Sequence, residues 1–170
     1  MAKTKFMLRK LDARVLFPGS TFSSIQELLL NQFLKDIQWG IIKKKIESYP
    51  GGYYQGILAF TAEIYSAIAK EGMERMCFKL LEQLELSFPE VLDDGYYHNY
   101  SGNIFRKLKM YPKALECYNL AIAIRGSIAV FYYNRAELKA DINDLTYIDD
   151  MQIGDDILAA EEYKKQWQKL

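Results

Sequence analysis

The sequence predicts an all-α protein, and three observations carry that prediction. From Ser24 onward, apolar residues recur at three- and four-residue steps, the spacing that lines one face of a helix. Helix-ending glycines and prolines separate the periodic stretches, at "YPGG", Gly72, Pro89 and Gly126. No stretch alternates apolar and polar residues as a half-buried strand does. With 170 residues, 50% of them hydrophobic, the chain can bury a substantial core, as one compact domain or one short repeat array.

Residues 1–23 read as a basic arm that carries Lys3, Lys5, Arg9, Lys10 and Arg14. Basic residues interrupt its apolar ones, so it lacks the core of a secretory signal, and no apolar run approaches a membrane span. Only Cys77 and Cys117 are present, which does not suggest a disulfide framework. A cytoplasmic protein is the expectation, with organelle targeting by the acid-poor start as the alternative.

"FPGSTFSS" supplies a turn and a helix N-cap. Ile25, Leu29, Phe33, Ile37 and Ile41 then recur every fourth position, predicting a helix that "YPGG" ends. The segment from Tyr53 to Gly72 is apolar on more than one face, predicting a helix packed between others. Met73, Met76, Cys77, Leu80, Leu81 and Leu84 mark the next, stopped by Pro89, and the two form a hairpin. A helix from Tyr96 to about Lys109 follows, then one begun by Pro112 and closed at Gly126, then one from near Ile128 to about Ala140. In "DINDLTYIDDMQIGDD" the apolar spacing is irregular, and a last helix is predicted from about Asp155, acidic at its start and lysine-bearing at its end.

Tyrosine doublets at Tyr53-Tyr54, Tyr96-Tyr97 and Tyr132-Tyr133, 43 and 36 residues apart, point to a stacked repeat. Over 95–128, Gly102, Phe105, Tyr111, Ala114, Tyr118 and Ala121 stand at offsets that resemble the tetratricopeptide repeat. Small residues fall where helices cross and aromatics where space must be filled. His98, Ser101 and Gly126 depart from the repeat's tryptophan, leucine and proline. The preceding hairpin matches only in Gly72 and Pro89, with Tyr65 bulky where a small residue belongs. The following one matches in "FYYNRAELK" with Ala136 and degenerates in its second half. The resemblance implies a short right-handed array of about three antiparallel hairpins spanning 24–170, with an extra N-terminal helix and a C-terminal capping helix. In size and layout the chain is also similar to the bacterial type III secretion translocator chaperones, which cradle a segment of a secreted protein. A general adaptor or assembly subunit fits equally.

Adjacent residues on a helix point about 100° apart, so the two members of a doublet cannot face the same neighbour. The offsets assign Tyr97 and Tyr132 to packing, and Tyr96 and Tyr133 to the concave face. The competing reading makes all six core aromatics. The resemblance implies a polypeptide-binding face formed by Tyr96, Asn99, Asn103, Arg106 and Lys107 with Tyr133, Asn134 and Glu137. Amides suit such a face because each can donate to and accept from a peptide backbone. Asn103 and Asn134 match two asparagines of the family's carboxylate clamp, but Asn99 replaces its first lysine and its later basic pair has no equivalent, which argues against that activity.

The remaining chemistry points away from catalysis. His98 is the single histidine, so a multi-histidine metal site is excluded. "GGYYQG" lacks the lysine and hydroxyl of a phosphate loop and reads as a turn. Asp149, Asp150, Asp155 and Asp156 lack a calcium loop's spacing and read as a solvated acidic face, as Lys43-Lys44-Lys45 read as solvated. No nucleophile has its base, and a non-enzymatic protein without cofactor, metal or small-molecule substrate is expected. Its partner would be a protein or peptide, with homo-oligomerisation left open. The net charge is +0, but residues 1–50 carry nine Lys/Arg against four Asp/Glu and residues 141–170 three against eight. That asymmetry favours oriented docking over bulk nucleic-acid binding. The rival reading uses the basic arm, with Phe6, Met7, Leu8, Leu11, Val15 and Leu16, against nucleic acid or a membrane surface.

Overall fold

The computed structural model describes residues 37–67 and 74–167, and all regular structure among them is helical. The basic arm, the predicted helix before Ile37 and Gly72 lie outside the described residues. The elements in order are α1 (Ile37–Glu47), α2 (Tyr53–Ala67), α3 (Glu74–Ser87), a 3-10 turn (Pro89–Asp93), α4 (Gly95–Lys107), α5 (Tyr111–Ile124), α6 (Ala129–Asp141) and α7 (Tyr147–Trp167). They fall into two compact units that divide between Glu90 and Val91.

In the first unit, α1 and α2 join through "YPGG", where Gly51 and Gly52 hold φ of 101° and 95°, a region that side chains strongly disfavour. Gly56 then lets α2 approach α1 closely, since a Cβ there would lie 2.9 Å from the Ile46 Cα. Ile46, Ile57, Phe60, Ile64, Leu80, Leu81 and Leu84 form the core. The Trp39 indole donates to the Ser87 hydroxyl at 3.0 Å, tying the end of α3 to α1. Phe88 stacks on Tyr53, ring centroids 6.2 Å apart, beneath the Lys43 amine.

In the second unit, Asp94 caps α4 by accepting from the Tyr97 amide at 2.8 Å. Lys109, at φ 58°, turns the chain into α5, which carries Pro112 in its first turn. The pair is antiparallel: Gly95 lies beside Ala121 and Arg125, while Gly102 lies beside Tyr118. Tyr97, Ile104, Ala114, Tyr118, Ala121, Phe131, Ala136 and Leu138 build the core. α6 packs on both α5 and α4, and α7 packs on α6.

The last helix corrects the sequence expectation, since it begins at Tyr147 rather than near Asp155. Its packed line is Tyr147, Asp150, Gly154 and Ile157, with an acid and a glycine where apolar residues were sought. Asp144 prepares the start by accepting from both the amide and the hydroxyl of Thr146, at 2.9 and 2.8 Å. The backbone amide of Thr146 is the main reason the Asp144 carboxyl lies below the usual range.

Candidate functional site

Tyr96, Asn99, Asn103, Arg106 and Lys107 follow one another at helical steps along α4, and Tyr133, Asn134 and Glu137 do so along α6. Because α4 and α6 pack together, several of these side chains meet. Asn134 Nδ2 donates to Asn99 Oδ1 at 2.9 Å, with Asn99 buried and Asn134 half-buried. Arg106 Nε donates to Asp141 Oδ2 at 2.6 Å, and Arg106 Nη1 pairs with Glu137. The hydrogen bond from Arg106 to Asp141, against the cost of burial, raises the already high guanidinium pKa.

The other members face different neighbours. Asn103 Oδ1 accepts from the hydroxyl of the fully buried Tyr118 at 2.7 Å. Tyr96 is half-buried, its ring edge-on to Phe131 at 5.2 Å and under the Arg125 guanidinium at 5.6 Å. Tyr133 donates to Asp155 Oδ1 at 2.7 Å, and the carboxylate that accepts this proton raises the phenol pKa. Lys107 and Glu137 are exposed. Of the eight, Asn99 meets Asn134 and Arg106 meets Glu137 between α4 and α6, whereas Asn103 is bound to Tyr118 of α5 and Tyr133 to Asp155 of α7.

Tyr97 is fully buried, whereas Tyr132 is half-buried and donates to the Gly126 carbonyl at 3.1 Å. His98 is buried, with Nε2 2.8 Å from the Leu92 carbonyl, so this nitrogen carries the proton and donates. Among the described residues the buried Ser101 hydroxyl has no hydrogen-bond partner, the consequence of a serine at a core position of α4.

One cluster was missed in the sequence. Asp150, read as solvated, is 2% exposed and accepts from Arg135 Nε at 2.9 Å and from Arg135 Nη2 at 2.6 Å. Lys139 Nζ adds a contact of 2.9 Å, and Arg135 Nη1 reaches Asn119 Oδ1 on α5 at 2.7 Å. Burial alone would push the Asp150 carboxyl up, but Arg135 and Lys139 outweigh it and hold the group below the usual carboxylate range. The signal was available: Arg135 and Lys139 are one turn apart on α6. Their role depended on a pairing across the turn that periodicity does not reveal.

Among the described residues, no three His, Cys, Asp or Glu side chains gather as a metal site, and no helix is long and apolar enough to cross a membrane. No family model, curated protein or solved structure matches this chain.

Proposed function

We propose that the Val91–Leu170 unit is a non-enzymatic interaction module, a short tetratricopeptide-like array that binds a segment of another polypeptide along α4 and α6. As such it would act as a chaperone, an adaptor or an assembly factor. The architectural part of this reading is supported by two consecutive antiparallel hairpins, with Gly102 set against the Tyr118 ring and Ala114 and Ala121 fully buried.

The observation that carries the binding reading is the Asn99–Asn134 bridge. The bond takes one Nδ2 hydrogen of Asn134, which leaves the other hydrogen and the Oδ1 of this half-buried amide for a peptide backbone, while the buried Asn99 holds it in place. Around it, Tyr133 adds aromatic area, and Lys107 and Glu137 add exposed charges of both signs. Such a mixture suits an extended chain, with a few residues contributing most of the energy.

The test starts from the full chain purified with its bound polypeptide out of native cells. Overlapping synthetic peptides of that polypeptide are then titrated calorimetrically. One contiguous segment is expected to bind, and Asn134→Ala is expected to weaken it by roughly 1 kcal/mol. Glu116→Ala, on the exposed side of α5, should leave the affinity unchanged. If no segment binds, or if Glu116→Ala weakens it as much as Asn134→Ala, the α4–α6 reading fails.

A further inference from the structure

The turn that joins α6 to α7, Ile142–Thr146, holds no glycine or proline, so each of its residues is able to continue a helix. Asn143 sits there at φ 58°, in the left-handed region that residues with a side chain occupy at a cost. The α4–α5 turn differs, because Pro112 follows it and bars a continuous helix. On α6 the side turned to α7 is marked by Tyr133, whose ring packs against Gly154, by Lys139, bound to Asp150, and by the buried Ala136 between them. On α7 the packed line is Tyr147, Asp150, Gly154 and Ile157. Eleven residues lead from Ala136 to Tyr147, and at about 100° each they return to within about 20° of the starting direction. With the turn made helical, the packed positions therefore run unbroken from Tyr133 through Ala136, Ala140, Asn143 and Tyr147 to Asp150. Their alternating three- and four-residue steps are those of a helix that pairs along its whole length with another.

We infer that two copies of this chain exchange α7. In each copy Ile142–Thr146 straightens, α6 and α7 become one helix, and α7 takes on the other copy's α6 the seat that it holds on its own. The two long helices run antiparallel about a two-fold axis through the turn. Each contact of α7 with α6 then forms again between copies, Tyr133 with Asp155, and Arg135 and Lys139 with Asp150. A second copy fits this seat by its own chemistry: Arg135 and Lys139, with side chains 18% and 15% exposed, need a carboxylate, and α7 carries it at the matching position. Two terms favour the closed monomer. Asp144 accepts from Thr146 and holds the turn, and joining two chains costs translational and rotational freedom. Exchange is therefore driven by concentration. α4 and α5 keep their contacts with α6 throughout, so the inference does not depend on the α4–α6 binding reading.

The test holds the full-length chain at rising concentrations and measures its mass by size exclusion with light scattering. A dimer is expected that grows with concentration and, once isolated, returns slowly to monomer on dilution, because α7 must leave one seat for the other. Asn143→Ala disfavours the left-handed turn and favours helix, and should raise the dimer association constant about tenfold or more. Asn143→Gly does the reverse and should lower it by about as much. Asn143 is exposed in the turn, so neither variant alters the core of the monomer. A chain that stays monomeric even as Asn143→Ala overturns the inference. So does a dimer that the two variants leave unchanged or shift in the same direction, since that dimer forms through a surface other than the exchanged helix.

Discussion

Arg135 clasps Asp150 with two of its nitrogens, Nε at 2.9 Å and Nη2 at 2.6 Å, and so pins α7 onto α6 through a carboxylate only 2% exposed. Removing one partner of a buried pair leaves the other charge uncompensated, at about 3–5 kcal/mol. Arg135→Met leaves Asp150 to Lys139 alone, so it should cost less than that in urea unfolding, about 2–3 kcal/mol. Asp150→Leu, which removes the buried acid itself, should cost less if Arg135 turns out to solvent. Equal and small losses for both would mean that the clasp contributes little.

The same pair sets a pH dependence. The Asp150 carboxyl lies below its ordinary value of 3.8 in the folded protein. Its contribution is therefore complete above that ordinary value and is lost as pH falls through the lower folded-state value. An Asp150→Asn variant should show a shallower acid limb in stability against pH than the parent, with the difference confined to the acid side. A difference between the two curves that grows toward neutral pH would contradict this assignment.

The glycines separate by what a methyl group would meet. At Gly102 a Cβ would lie 2.6 Å from Tyr118 Cε1, and that ring is fully buried with its hydroxyl bound to Asn103. Gly102→Ala should destabilise by about 1–3 kcal/mol despite the gain in helix propensity. At Gly40, inside α1, no atom of the described residues lies within 4 Å, and Gly40→Ala should stabilise by up to about 1 kcal/mol. Thermal melts of the two variants shifted in the same direction would contradict this packing.

The Asn99–Asn134 bond can be weighed by a double-mutant cycle on folding. Single and double alanine variants should reveal a coupling of about 0.5–1.5 kcal/mol, as for a part-buried neutral hydrogen bond. The Arg106 pairs are different. Glu137 is 60% exposed and Asp141 39% exposed, so Arg106→Gln should change stability by no more than about 1 kcal/mol. Added salt should shrink even that effect.

How much of this was legible varied with what the residues had to do. Helices from α2 to α6 were readable because Gly, Pro and apolar steps agree with one another at each, as "YPGG" before Tyr53 and Pro112 in α5 show. The start of α7 was not, because Asp150 and Gly154 occupy its packed line and break the apolar period. At the candidate face, helical spacing placed residues on common sides of α4 and α6. It did not reveal that Asn99 would meet Asn134, or that Asn103 would be held by Tyr118, since those contacts depend on how helices pack. The Asp150 clasp was hidden for the same reason.

The most direct measurement of the central claim is site-specific photocrosslinking in the native cell. A photoreactive residue replaces Lys107 on the α4–α6 face in one version of the full chain and Leu120 on the exposed side of α5 in another. An adduct with a discrete polypeptide is expected from position 107 and none from position 120. An adduct formed at 120 but not at 107, or equally at both, would contradict that claim.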